Sequence, residues 1–202
     1  MNIDLLLKNL SKRGFVATFF QTAEEANKYL LTLIPPSASV GLGGSMTLVE
    51  MGVPQLLGDN GRTVFYSGFS LTEEEKAVSF DKIHKADWFL SSTNALCMSG
   101  ELVNIDGRAN RIAEMVHGPQ NIVIVTGVNK IVDTIEEGIY RSRNIAAPKN
   151  CERLKRKTPC AVTGKCHMCN SPDTICRATL IQHHPTFGKN VYIVIVNQNL
   201  GY

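Results

Sequence analysis

Ser39-Val40-Gly41-Leu42-Gly43-Gly44-Ser45-Met46-Thr47-Leu48-Val49-Glu50 reads as a short buried strand that breaks on glycines and hydroxyls and then turns into a helix. Such a break leaves backbone N–H groups pointing beyond the strand end, and glycines let the chain approach a ligand closely. Ser45 and Thr47 can cap the helix or bond an anionic oxygen. Gly43, Gly44, Ser45 and Thr47 are therefore candidate cradle residues for a phosphate or carboxylate. The loop is not a P-loop, because no Gly-Lys-[Ser/Thr] ending follows, and it does not complete the dinucleotide-binding pattern. A tight strand-to-helix turn whose glycines serve only packing explains it equally well.

Outward from this stretch the chain alternates. Leu5 to Leu10 belongs to an amphipathic first helix, Phe15 to Phe20 to a strand, and Thr22-x-x-Glu25 is a capping box opening a helix that Pro35-Pro36 ends. Beyond the glycine turn, Gly52 and Pro54 stop or restart the helix that contains Glu50. Arg62 to Tyr66 is a strand, Thr72-x-x-Glu75 a second capping box for a helix to about Lys85, and Asp87 to Ser91 the strand after it. Ile122 to Thr126 is a β-branched run of the fully buried kind, Ile131 to Arg143 reads as the helix behind it, and Val191 to Val196 as a last strand. Regular alternation predicts an α/β fold of Rossmann-like type, a mostly parallel sheet with helices on both faces.

The 202 residues, 44% hydrophobic and 19% charged, predict one globular domain spanning 1–202. A net charge of +3 without a Lys/Arg-rich helix or aromatic-and-basic interleaving argues against a nucleic-acid partner. No apolar run approaches a membrane span, and Met1-Asn2-Ile3-Asp4 lacks the basic start of a signal peptide, so the expected location is cytoplasmic, with no membrane partner. Six cysteines in that reducing compartment point to metal or redox chemistry where they cluster, not to a disulfide framework.

Two further stretches carry chemistry. In Ser99 to Arg111, apolar Leu102, Val103 and Ile105 interleave with Asn104 and Asp106 before a glycine and a helix start, which delivers polar side chains to a strand's carboxyl end. Asp106 and Glu101 are candidate general acids or bases, Asn104 and Asn110 candidate orienting groups, and Arg111 a candidate fork for a carboxylate or phosphate. The bland alternative is an Asp-Gly turn with solvated charges. Lys130, in the turn after the buried strand, either projects into the same crevice or stands in water. Thr158-Pro159-Cys160-x5-Cys166-His167-Met168-Cys169-x6-Cys176, within a cysteine-rich loop spanning 150–180, groups four thiols closely enough to surround one metal centre. Cys160, Cys166, Cys169 and Cys176 suit an iron–sulfur cluster (4Fe–4S) or Zn2+, and the spacing does not choose between them; an unmetallated thiol cluster or a Cys-x-x-Cys redox pair is the alternative. His167, His183 and His184 are substitute ligands or ordinary polar contacts, Cys97 reads as a small buried hydrophobe, and Cys151 has no assignment. The basic run Arg153-Leu154-Lys155-Arg156-Lys157 is a solvated face or an offset to thiolate charge.

Together, Gly41 to Glu50, Gly100 to Arg111, Val125 to Val132, the Thr-Pro-Cys cluster and Leu200-Gly201-Tyr202 resemble the LUD-domain proteins, relatives of lactate-utilisation protein C, in a small cysteine-containing branch. The resemblance spans nearly the whole chain. It implies a fold similar to ribose-5-phosphate isomerase, glucosamine-6-phosphate deaminase and CoA-transferases, and it adds Glu50 to the residues expected at the anion crevice. It also implies lactate or 2-hydroxy-acid utilisation or related redox metabolism. The expected partners are a small anionic metabolite (a 2-hydroxy acid, phosphate or CoA ester), an iron–sulfur or flavoprotein partner, and a second copy of the chain in a homo-oligomer. Two other functions fit the same residues: an isomerase- or CoA-transferase-like enzyme with only a structural zinc, and a non-catalytic metabolite-binding or regulatory protein.

Overall fold

A computed structural model describes residues 1–66 and 72–202. Helix α1 (Ile3–Lys12) is opened by the Asn2 side chain accepting from the Leu5 N–H, and α2 (Ala23–Leu33) by the complete Thr22/Glu25 capping box. Strand β1 (Val16–Phe20) lies between them, and β2 (Ser39–Leu42) follows. Glycine and proline then divide the next helical stretch into α3 (Met46–Glu50) and α4 (Val53–Asp59), with Gly52 at φ 68 between them. Strand β3 (Thr63–Tyr66), helix α5 (Glu73–His84) and strand β4 (Trp88–Ser91) continue the alternation, α5 carrying the second capping box on Thr72 and Glu75.

Strands β5 (Ala95–Cys97) and β6 (Leu102–Asp106) come next, then α6 (Asn110–His117), β7 (Asn121–Gly127), a 3-10 turn over Val128–Lys130 and β8 (Ile131–Val132). Helix α7 (Ile135–Arg141) passes through a π-helical turn, Ser142–Ala146, into α8 (Ala147–Arg153). Pro148 explains the wide turn: it has no N–H to offer, and its ring crowds the preceding turn. Short α9 (Pro159–Thr163), β9 (Ala178–Gln182) and β10 (Asn190–Val196) complete the described order.

Six strands form a wholly parallel sheet in the order β1-β10-β7-β4-β2-β3. Alternate residues of the central strands divide between two cores. Val40, Leu90, Val123 and Val194 pack with Ala26 and Leu30 of α2 and Leu57 of α4 on one face, while Phe89, Ile122, Ile124 and Ile193 pack with Leu6 and Leu10 of α1, Ile83 of α5 and Met115 of α6 on the other. The predicted α/β class with helices on both faces is therefore the observed one. Among the described residues no helix is long and apolar enough to cross a membrane.

A second sheet, β8-β5-β6-β9, departs from the sequence reading. Ile131 and Val132 pair with Leu96 and Cys97 instead of opening a helix, and Thr134 caps α7 by accepting from the Glu137 N–H. The expected helix Ile131 to Arg143 thus begins four residues later. A two-residue bridge has no periodicity of its own, so sheet pairing decides it.

Candidate functional site

The carboxyl ends of three neighbouring parallel strands, β7, β4 and β2, open on one crevice of about 470 Å³. Gly44 and Ser45 line it after β2, Ser92, Thr93 and Asn94 after β4, and Lys130 after β7. Asp106 at the end of β6 and Asn110 and Arg111 of α6 form a second wall, and Ser142 to Arg153 with Pro172 to Arg177 form the third. Strand ends in an open parallel sheet are where such folds hold ligands.

The glycines divide their work. A Cβ on Gly41 would lie 2.8 Å from Ile83 Cγ2, and one on Gly43 would lie 2.8 Å from Phe89 Cζ and 2.9 Å from Ser91 Oγ, so both serve close packing. Gly44 alone of this group meets nothing within 4 Å and faces the crevice. Ser45 caps α3 by accepting from the Leu48 N–H, and the buried Thr47 hydroxyl donates to Leu200 O at 3.3 Å. Glu50 is exposed and holds the Gly201 N–H at 2.6 Å, tying the Leu200–Tyr202 segment over this corner.

Lys130 is 3% exposed, and its Nζ donates to Thr47 Oγ1 at 2.7 Å and Ser92 Oγ at 3.0 Å. Among the described residues it makes no ion pair. Burial holds its pKa down to about 7, the Arg141 and Arg111 guanidiniums push the same way, and Glu50 opposes them. Arg111 is anchored by Ser92 O at 2.9 Å, Asn104 Oδ1 at 2.6 Å, Asn94 Oδ1 at 3.3 Å and Ile105 O at 3.0 Å; burial lowers its pKa and Asp106 raises it. Asp106 Oδ2 is ion-paired with Arg111 Nε at 3.6 Å; the atom is buried and, among the described residues, has no hydrogen-bond partner.

Asn104 is wholly buried inside β6, where its Oδ1 also accepts from the Asn94 N–H at 3.1 Å, so it positions Arg111 and the Asn94 loop from behind. Glu101 does not line the crevice. It pairs with Arg13 and accepts from Ser99; burial raises its pKa, but these hydrogen bonds and the Arg13 charge leave it below the ordinary value. His183 and His184 sit in the same corner around Glu101 and Arg13.

Behind the third wall lies a second, much smaller hollow of about 20 Å³, lined by Cys151, Cys160, Cys166, Cys169 and Cys176 with His167, Met168 and Arg143. Ala147 and Thr174 line both spaces, so one layer of side chains separates them. Cys151 and Cys160 are both buried, and Thr158 Oγ1 lies 3.3 Å from Cys160 Sγ. The thiols ring the hollow without converging: among the described residues no three Cys, His, Asp or Glu side chains are gathered at the spacing of one ion. Cys97 is apart from them, fully buried between β5 and α7, and burial pushes its thiol up to about 12.

The LUD domain family model matches residues 3–196. The chain belongs to the LUD domain family. A solved DUF162 family protein from Deinococcus radiodurans shares the fold, with a TM-score of 0.56 and 15% identity over 96% of this chain and 95% of that one. A weaker likeness, TM-score 0.40 and 11% identity over 58% of this chain and 45% of the other, is to eIF2B beta from Chaetomium thermophilum. No curated protein matches the chain.

In this LUD domain the structure brings Gly44, Ser45, Asp106, Asn110, Arg111 and Lys130 to one crevice, with Thr47 and Asn104 directly behind, and leaves Gly43, Glu50 and Glu101 outside its lining. The sequence reading missed Ser92 to Asn94, although hydroxyls and an amide directly after a buried strand are the same signal that drew attention to Ser45. It also read Arg153 and Arg156 as a solvated face or a thiolate offset; both line the crevice, as do Arg108 and Arg177. Cys151 is the cysteine that spacing passed over, because a helix, not a loop, brings it to the hollow.

Proposed function

We propose that this LUD domain binds a small anionic metabolite, a 2-hydroxy or 2-oxo acid or its phosphate or CoA ester, beside a thiolate-held metal, and serves the cytoplasmic redox metabolism of such acids. One observation carries the reading: a crevice whose lining includes Arg108, Arg111, Arg153, Arg156 and Arg177, against the carboxylates Asp106 and Asp173, shares its Ala147 and Thr174 wall with five cysteines. Guanidiniums hold carboxylates and phosphates through paired N–H donors, and the excess positive charge concentrates anions at the mouth. Arg111, fixed by four acceptors, and Asn110 orient the ligand; Lys130 and Asp106 exchange protons with it.

The chemistry of the thiols suits a metal that prefers sulfur, an iron–sulfur cluster or Zn2+, and Cys160, Cys166, Cys169 and Cys176 would have to draw together around the hollow to hold it. A cluster would supply single electrons beside the crevice, whereas zinc would supply only a staple for the loop. Metal and acid-labile sulfide analysis with a visible spectrum, on protein purified without oxygen, tests this directly. Iron with sulfide and a chromophore that bleaches on reduction supports electron transfer; zinc without a chromophore removes it. Calorimetric titration with lactate, pyruvate, ribose 5-phosphate and CoA tests the crevice, and absence of binding to all four overturns the anion reading.

The volume of the crevice favours a second reading. About 470 Å³ is ample for a phosphorylated sugar or part of a CoA ester and generous for a three-carbon acid. An isomerase- or transferase-like reaction on such a ligand, with Asp106 and Lys130 as acid and base, needs no electron carrier. Tight binding of ribose 5-phosphate or CoA with none of lactate would select it.

A further inference from the structure

A lysine ammonium is costly to bury unless a carboxylate balances it, and Lys130 has hydroxyls where that carboxylate would be. Thr47 Oγ1 and Ser92 Oγ accept its N–H bonds, Arg111 and Arg141 are the nearby cations, and Glu50 is spent on the Gly201 N–H at the surface. The amine is held in a 3-10 turn directly after the central strand β7, and it lines the crevice with Gly44, Ser45 and Ser92 to Asn94. These are the surroundings that leave a lysine uncharged and nucleophilic: burial, cationic neighbours and, among the described residues, no ion-paired carboxylate. Acid–base work alone does not require them, since Asp106 already lines the same space with a carboxylate.

We infer that Lys130 is a carbonyl-capturing amine that forms an imine with a 2-oxo acid bound in the crevice. The inference rests on the crevice being an anion site, with the guanidinium walls holding the acid's carboxylate. The Nζ lone pair forms the N–C bond at the carbonyl carbon, and the C=O π pair moves to oxygen, which takes up a proton. The nitrogen gives up one proton as the carbinolamine forms and a second as the hydroxyl leaves, both passing to that oxygen through solvent in the crevice, so the oxygen departs as water and leaves a neutral C=N. No oxidant or reductant enters, and water reverses the sequence. Burial and the two guanidiniums hold the amine at about 7, so a substantial share of it carries a lone pair at neutral pH.

The test is reductive trapping of the full-length protein. Pyruvate and cyanoborohydride are added to wild type, the intact mass is read, and the labelled peptide is mapped; calorimetric titration with pyruvate, without reductant, runs in parallel. The expected result is one added group per chain, equal in mass to pyruvate less one oxygen, located on Lys130, with Lys130→Met at the background of surface lysines. Mapping on wild type keeps the result independent of how well the variant folds. Label scattered over other lysines, or none, while pyruvate still binds, overturns the imine and leaves the anion site standing. Neither label nor binding overturns both for 2-oxo acids.

Discussion

Lys130 and Arg111 are both basic side chains lining the crevice, yet their surroundings assign them different work. Arg111 spends its guanidinium on four fixed acceptors and is a beam of the site; Lys130 has two hydroxyls and no ion pair among the described residues. The folded protein therefore pays for Lys130 in stability. Its folded pKa of about 7 lies below the ordinary 10.5, so between those values the unfolded chain holds a proton that the folded one lacks, and stability rises with pH across that window. Lys130→Met keeps the length and removes the charge. At pH 7 it is expected to raise stability by about 2–4 kcal/mol, a shift of one unit being worth about 1.4 kcal/mol before relaxation and the two lost hydrogen bonds are deducted. Denaturant unfolding at a series of pH values checks both size and sign: the gain must shrink as the pH approaches 10.5.

At the scale of elements, the site depends on two local irregularities. Ala109 precedes α6 at φ 62, the left-handed region that an alanine adopts at a cost, and this turn sets Asn110 and Arg111 on the crevice wall. Ala109→Gly should relieve the strain and raise the denaturation midpoint by an amount corresponding to about 1 kcal/mol, while also loosening the start of α6. Weaker ligand binding at increased stability would mark Ala109 as part of how the site is held in shape. The π-helical turn over Ser142–Ala146 is the second irregularity. It lets one continuous helical stretch present Ser142, Ala146 and Asn150 to the crevice and Arg143 and Cys151 to the thiol hollow.

Across the whole molecule the two hydrophobic cores flank the six-stranded sheet, and among the described residues neither draws a member from 142–177. The cysteine segment is attached to the domain by backbone, by the buried Ala146, Ala147 and Cys151, and by a few polar contacts such as Arg153 Nε donating to Tyr202 Oη at 2.6 Å. If the thiols hold a metal as proposed, removing it with a chelator under anaerobic conditions is expected to raise hydrogen exchange across 158–176 while protection in β2, β4, β7 and β10 is retained. Global unfolding on chelation would show that the metal supports the sheet as well as the loop.

Several parts were legible in order along the chain. Capping boxes at Thr22 and Thr72, β-branched runs at Ile122 and Val191, and punctuation by Pro35-Pro36 and Gly52 specify the elements, because capping, propensity and chain stiffness act within a few residues. The alternation of those elements then determines a parallel sheet with helices on both faces. What tertiary structure alone decided was which polar residues share a space. Glu101 and Asp106 are five positions apart and look equivalent in sequence, but antiparallel pairing of β6 with β5 and β9 puts Glu101 beside Arg13 and Asp106 in the crevice. Lys130 stands in a turn where sequence allows water or burial equally, and it is buried because β7 ends against Thr47 and Ser92 from two other strand ends. Cys151 reaches the thiols through the turn of a helix, a distance in space that spacing along the chain does not express. Local interactions fix elements, whereas pKa values, counter-ions and shared walls arise from contacts between residues far apart in sequence, and only packing brings those together.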